Sequence, residues 1–233
     1  MNILAVDTST EVMHLALETD TQFESRTLDA GLKHSENLVP EMMAICGRAG
    51  LVLADIDLLV CTKGPGSFTG LRIAMAACKG IALGGGKPLV SVSTLQTMQE
   101  PVKWFDGAVV PVIDAKKHRY YSTIFKHGER LAPDMDCDPA ELVELLDGND
   151  SVLVTGPDAQ KFTPLLAKAA QDVGLTIRFS IDTLQKRDLG ESLIQLGRLQ
   201  LEQKGADDIG EGPVYIRKSD AEIALEEKFR QGK

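Results

Sequence analysis

One pattern occurs twice along the chain, and it restricts the fold more than any other feature. In each half, a short apolar run ends at an aspartate and is followed by a polar turn. The first occurrence covers Ile3 to Asp7 and the second covers Val109 to Asp114. A segment of alternating polarity follows each turn, which indicates an antiparallel partner strand. Helices and buried strands then alternate within each half, so the sequence predicts two related α/β lobes.

The same pattern gives the predicted domain organisation. We assign residues 1–106 to an N-terminal lobe and residues 107–188 to a C-terminal lobe. We expect the amphipathic helix near residues 189–204 to complete the N-terminal lobe. The tail, residues 205–233, is assigned to the C-terminal lobe, and within it Pro213–Arg217 is predicted to be a short strand or arm.

Charge and cysteine usage exclude several classes of protein. The net charge of −9 disfavours non-specific binding to a phosphate backbone. None of the four cysteines belongs to a CxxC pair, which excludes a zinc ribbon and a thioredoxin motif. The N-terminus lacks the features of a signal peptide, and no apolar run reaches the roughly 18 residues of a membrane span. We therefore expect a cytoplasmic protein that does not contact a membrane.

The glycine-rich segment Gly64–Gly70 lies between a predicted strand and a predicted helix. Glycines in this position allow a tight turn and leave N–H groups that could bind an anion. The segment is not a Walker A loop, because Leu71 stands where that motif has lysine. We interpret the glycines as structural first. If Gly66 or Gly70 has a positive φ, alanine at that position should destabilise the fold by about 1 kcal/mol or more.

Three polar groups could carry chemistry, and each has a simpler structural explanation. Asp7 and Asp114 could coordinate a divalent cation in a nuclease or phosphotransferase, but each could instead cap its own turn. His34 and Ser67 could belong to a hydrolase site, although Ser35 beside His34 is equally a residue that starts a helix. The basic run Lys116–Arg119 could contact nucleic acid, but a solvated turn is the commoner meaning of such a run.

Two N-terminal helices carry more apolar surface than one sheet face requires. Such a surplus is either buried within the domain or covered by another protein chain. We predict that the surplus pairs with a partner protein or with a second copy of the chain. The sequence does not show which of the assigned residues face the sheet instead, so we expect some of them to belong to the core. The residues assigned to this interface are Leu38, Met42, Ile45, Leu71, Met75 and Cys78.

Taken together, several of these motifs resemble the bacterial TsaB (YeaZ) family along nearly the whole chain. The long glycine segment with its following Leu-Arg-Ile is the most specific of them. The matching residues are Ile3–Thr10, His34–Glu36 with Leu38 and Pro40, Gly64–Ile73, Ile113–Ala115 with Arg119 and Tyr121, and Pro213–Arg217.

The resemblance implies a fold, a function and a set of partners. The implied fold is the duplicated actin-like, ribonuclease-H-like (ASKHA) fold. The implied function is that of a non-catalytic subunit in the synthesis of threonylcarbamoyladenosine (t6A) beside the tRNA anticodon. The implied partners are the catalytic subunit TsaD and the ATPase TsaE, with a homodimer when the chain is alone and only indirect contact with tRNA.

The resemblance also implies the absence of a metal site and of a required cofactor. TsaD has an HxxxH metal motif, and Thr94 and Met98 stand at the corresponding histidine positions here. Neither side chain can replace imidazole at a hard metal site. Weak nucleotide binding at a vestigial site remains open, as does the alternative of a small actin-fold ATPase or nuclease using Asp7 and Asp114. The residues of the possible vestigial site are Asp7, Gly66, Ser67, Thr69 and Asp114.

Overall fold

A computed structural model describes residues 1–31 and 33–217 of the chain. The N-terminal lobe is built on a sheet with the strand order β3-β2-β1-β4-β5. The first three strands are antiparallel, and β4 and β5 run parallel to β1. The strands are β1 (Ile3–Asp7), β2 (Val12–Glu18), β3 (Phe23–Asp29), β4 (Leu58–Gly64) and β5 (Leu89–Ser93).

The C-terminal lobe repeats this topology. The order β10-β7-β6-β11-β12 has the same antiparallel and parallel relations, and a small β8–β9 hairpin extends it from β6. The prediction of two related α/β lobes is confirmed, and the fold is the duplicated actin-like one. The strands are β6 (Ala108–Asp114), β7 (Tyr120–Ser122), β8 (Phe125–Lys126), β9 (Glu129–Arg130), β10 (Met135–Cys137), β11 (Ser151–Thr155) and β12 (Arg178–Ile181).

Helices cover the sheets according to the alternation of the strand side chains. Leu4 and Val6 of β1 pack with α1 and α2, whereas Ile3 and Ala5 point to the opposite face and pack with α6. This alternation follows from the two-residue period of a strand. The helices are α1 (His34–Arg48), α2 (Phe68–Gly85), α3 (Thr94–Gln99), α4 (Pro139–Val143), α5 (Ala159–Asp172) and α6 (Gly190–Lys204).

The tail departs from its predicted place. The N–H of Asp207 donates to Leu89 O, and the N–H of Val214 donates to Lys63 O, so both residues lie on the N-terminal lobe. Within the described tail, Arg217 binds the C-terminal lobe. The sequence assigned the tail to that lobe, whereas the stretch from Asp207 to Tyr215 continues from α6 along the N-terminal lobe. Residues 218–233 lie outside the described residues.

Candidate functional site

A cleft of about 740 Å³ opens between the two lobes. The turn after β1 lines one wall, and the equivalent turn after β6 lines the other. The start of α2 adds Gly66 and Ser67 to the first wall. In an actin-like fold the duplicated strand ends meet at such a cleft, which makes it the candidate site of this chain.

Asp7 is fully buried at the end of β1. Its Oδ1 accepts hydrogen bonds from the N–H of Ser9 at 2.8 Å and from the hydroxyl of Thr62 at 2.6 Å. Its Oδ2 makes no hydrogen bond with any described residue. The Ser9 contact is the Asx-type turn expected of an aspartate after a strand. Asp7 itself is not among the residues that line the cleft.

Asp114 closes the equivalent turn of the C-terminal lobe and does line the cleft. Its Oδ1 accepts the N–H of Lys116 at 2.7 Å, and its Oδ2 lies 3.4 Å from the Lys116 ammonium. Its own N–H donates to Asp158 Oδ2 at 2.8 Å. Both aspartates thus act as turn caps within their own lobes.

The glycine segment locks α2 against the turn after β1. The Ser67 hydroxyl accepts the N–H of Gly70 at 3.2 Å and caps the helix. The Thr8 hydroxyl donates to Gly70 O at 2.7 Å. A Cβ on Gly70 would lie 1.9 Å from Thr8 O, and one on Gly66 would lie 2.5 Å from Ser9 O. No side chain fits at either position.

Neither Gly66 nor Gly70 has a positive φ. The segment's positive φ, +113°, belongs to Gly64, and close backbone contact is what excludes side chains at the other two glycines. Thr69 is exposed in the first turn of α2 and is not part of the cleft lining. Of the five residues proposed for a vestigial nucleotide site, the structure therefore brings Gly66, Ser67 and Asp114 to the cleft.

Two histidines stabilise the same region. His34 begins α1, and its Nε2 lies 2.7 Å from Thr10 O, while its Nδ1 has no hydrogen-bond partner among the described residues. His14 pairs with Asp7 across β1 and β2. Burial lowers the pKa of His14, although the charge of Asp7 acts in the opposite direction. A neutral imidazole is therefore the stable form in the folded protein at neutral pH.

The basic run forms a conformation that the sequence did not indicate. Lys116, Lys117 and His118 have φ values of 63°, 57° and 60°, which is the left-handed region. This conformation costs roughly 1–2 kcal/mol for each non-glycine residue. Arg119 holds the end of the turn, because it pairs with Asp136 at 3.2 Å and with Glu141 at 2.8 Å. The sequence predicts a turn here, but neither charge nor periodicity reveals its left-handed conformation.

Thr94 and Met98 are the two positions that the family resemblance places against the HxxxH motif. Thr94 and Met98 lie one turn apart on α3, and both are buried. In the described part of the chain, no cluster of three His, Cys, Asp or Glu side chains is arranged to hold a metal ion. The same part also contains no helix long and apolar enough to cross a membrane.

The residues assigned to a partner interface lie inside the N-terminal lobe. All six are at most 5% exposed. The spacing of apolar residues correctly predicted the two helices, but the residues that we assigned to the interface lie on the sides that face the sheet. The sequence of a helix that is apolar on several sides does not show which side faces the core. The six corrected residues are Leu38, Met42, Ile45, Leu71, Met75 and Cys78.

Different residues form the outward face of the same helices. Val39 and Met43 are 43% and 59% exposed one turn apart on α1, and Leu83 is 67% exposed on α2. Ala76 and Gly80 precede Leu83 on the exposed side of α2. We call Val39, Met43, Ala76, Gly80 and Leu83 the outer face.

Comparison with known proteins agrees with this architecture. The sequence profile described as TsaD, tRNA N6-adenosine threonylcarbamoyltransferase, matches residues 28–225. The chain is 31% identical to the tRNA threonylcarbamoyladenosine biosynthesis protein TsaB of Bacillus subtilis over 228 residues, which are 95% of this chain and 96% of that one. It is 36% identical to TsaB of Escherichia coli over 131 residues, 55% of this chain and 57% of the relative.

Solved structures give the same result for the fold. YeaZ from Pseudomonas aeruginosa superposes with a TM-score of 0.72 at 23% identity, covering 92% of this chain and 99% of that one. A Pseudomonas aeruginosa protein described as similar to peptidase YEAZ superposes with a TM-score of 0.74, also at 23% identity, covering 93% and 99%. The extent of the family match and the near full-length B. subtilis relative show that the chain belongs to the TsaB (YeaZ) family.

Proposed function

We propose that this chain is a non-catalytic subunit of the machinery that makes t6A in tRNA, and that it binds and activates the catalytic subunit TsaD together with TsaE. The names of its relatives support the pathway. The exposed apolar residues of the outer face are the observation that supports binding to a partner protein. Single exposed apolar side chains are common on protein surfaces. Apolar side chains exposed on two helices that contact each other, as α1 and α2 do, support an interface there.

The polar groups of the cleft support a role without catalysis. Catalysis by the aspartates would require carboxylates free to hold a metal ion or a reacting atom. The oxygens of Asp114 and one oxygen of Asp7 are instead used by their own turns. The buried Thr94 and Met98 offer no replacement for imidazole ligands.

The remaining parts of the proposal follow from the same surface and cleft. In the absence of TsaD, the outer face pairs with a second copy of the chain, because a face on two adjacent helices can be self-complementary. The protein works in the cytoplasm and contacts tRNA only through its partner. It needs no cofactor, and nucleotide binding in the cleft is weak.

The double variant Val39→Glu/Met43→Glu tests the outer face. Two carboxylates at the centre of an apolar interface should weaken binding to TsaD by roughly 2–4 kcal/mol, while the thermal melting temperature stays close to that of the parent chain. The measurements are affinity for purified TsaD by calorimetry and t6A content of tRNA from a depleted strain that expresses the variant.

The matched control is Leu165→Glu on α5, which introduces glutamate at a similarly exposed apolar residue, 45% exposed, on the other lobe. It should bind TsaD and restore t6A normally. If the folded double variant binds TsaD as tightly as the control does, the outer face is not the interface and the proposal fails.

A further inference from the structure

The tail after α6 crosses between the lobes. Its first part is fixed to the N-terminal lobe through Asp207, whose N–H donates to Leu89 O at 2.9 Å and whose carboxylate accepts from the Ser91 hydroxyl. The Lys79 ammonium donates to Glu211 O, and the N–H of Val214 donates to Lys63 O at 2.8 Å. These contacts bring the chain to the edge of the cleft.

Tyr215, which follows Val214 in the tail, packs against α2. The Tyr215 ring lies 4.5 Å from that of Phe68, centroid to centroid, and its hydroxyl accepts the Nε–H of Arg72 at 2.8 Å. The Arg72 guanidinium lies 3.8 Å above the Phe68 ring, which is a favourable cation–π geometry. The aromatic contact and the hydrogen bond therefore fix the position of the tail on α2.

Arg217 completes the crossing. Its Nη1 donates to Ala115 O at 2.8 Å, and its Nε lies 3.0 Å from Asp136 Oδ2. Asp136 also pairs with Arg119, which holds the left-handed turn on that wall of the cleft. The last described residue of the tail thus binds the turn that follows β6.

Gly64 shows that the tail and the lobe are fitted to each other. A Cβ on Gly64 would lie 2.7 Å from Val214 O, so the tail occupies space that a side chain would need. Little apolar surface holds the tip in place, since Val214 is 52% exposed and Tyr215 is 37% exposed. Polar contacts with few buried apolar partners are the kind that open without unfolding of the rest of the molecule.

We propose that Val214–Arg217 form a clasp that joins the two lobes across the cleft and restrains their opening. All four residues line the cleft, so a ligand that enters or leaves meets the clasp. Other contacts also join the lobes: Lys186 pairs with Asp29, and the Ser93 hydroxyl contacts Arg130 and Asp134. These side chains belong to segments that continue into further elements of the fold. The clasp instead lies in the tail after α6, so it can leave the C-terminal lobe without displacing any strand or helix of the described residues. This inference does not depend on the proposed function.

Distance measurement between spin labels across the cleft tests the clasp. Glu11 and Lys161 are exposed and line opposite walls, and the four native cysteines are buried, so cysteines introduced at these two positions can be labelled selectively. Pulsed electron paramagnetic resonance on the full chain then gives the distribution of distances between the two labels, one on each lobe. Adding Arg217→Ala removes the contact with the C-terminal lobe but replaces no core residue.

We expect Arg217→Ala to move the distribution to longer distances and to broaden it, with a larger effect when Tyr215→Ala is added. The control Arg178→Ala removes an exposed arginine on β12, away from the cleft, and should leave the distribution unchanged. Circular dichroism verifies that each variant remains folded. A distribution that is the same with and without Arg217, or that changes equally in the control, would overturn the proposal.

Discussion

At the scale of single residues, the contact between the glycine segment and the turn after β1 is the least tolerant part of the site. The sequence indicates a structural role for these glycines, but it does not show what excludes a side chain at each of them. The reason is distance, because Gly66 and Gly70 contact the carbonyls of Ser9 and Thr8. Close approach between segments about 60 residues apart is a tertiary property, and no local pattern encodes it.

Gly70→Ala should therefore destabilise the fold. The new Cβ would displace the turn that contains Thr8, and we expect a loss of about 2–3 kcal/mol in the free energy of unfolding, as for an overpacked core. Gly80→Ala is the matched control in the same helix, since no atom lies within 4 Å of a Cβ there. It should be neutral or stabilising by up to about 1 kcal/mol. Urea unfolding measures both values, and equal stability of the two variants would contradict this explanation.

His14 gives the site a predictable dependence on pH. Its pKa in the folded chain lies below the ordinary value of about 6.5, mainly because it is buried. Below that pH the unfolded chain binds a proton that the folded chain does not, so the free energy of unfolding falls as pH decreases. Each unit of pKa depression corresponds to about 1.4 kcal/mol. Urea unfolding between pH 8 and 5 should show this loss, and His14→Gln should reduce it; an unchanged pH profile in the variant would refute the assignment.

At the scale of elements, the sequence predicts those strands whose apolar runs are continuous and those helices whose spacing is regular. It does not indicate β5, α3 or β12. Each is six residues or shorter, and β12 is only partly buried. Segments this short contain too few apolar residues to show a helical or strand periodicity. The order of the predicted elements was nevertheless sufficient to predict two related α/β lobes, because the same succession of strands and helices occurs in both halves.

The faces of α1 and α2 show where sequence pattern stops being informative. Met42 is fully buried and its neighbour Met43 is 59% exposed, yet both are methionines in an apolar stretch. The sequence alone does not show which of two adjacent methionines faces the core. The direction is set by packing of α1 against the sheet and α2, where Met42 meets Leu4, Leu15 and Cys78 in one apolar cluster.

At the scale of the whole molecule, each lobe has its own main core, and a smaller buried cluster that includes Leu95, Met98 and Ile113 joins the two lobes. The first strand of each lobe ends in an aspartate that supports its own turn, Asp7 through Oδ1 and Asp114 through both carboxylate oxygens. The proposed function therefore places partner binding on the outer face and assigns no catalytic role to these two side chains. The central claim is that Asp7 and Asp114 maintain structure and take no part in catalysis.

The most direct test is tRNA modification in a reaction reconstituted from purified TsaD, TsaE, the threonylcarbamoyl-adenylate donor, tRNA and this chain, with t6A measured by mass spectrometry. The chain tested is the double variant Asp7→Asn/Asp114→Asn, because asparagine keeps an oxygen that can accept the N–H groups of Ser9 and Lys116. The account predicts that the folded variant supports t6A formation at a rate within about twofold of the parent chain, less than 1 kcal/mol in activation free energy. A folded variant that binds TsaD normally but forms no t6A would contradict it.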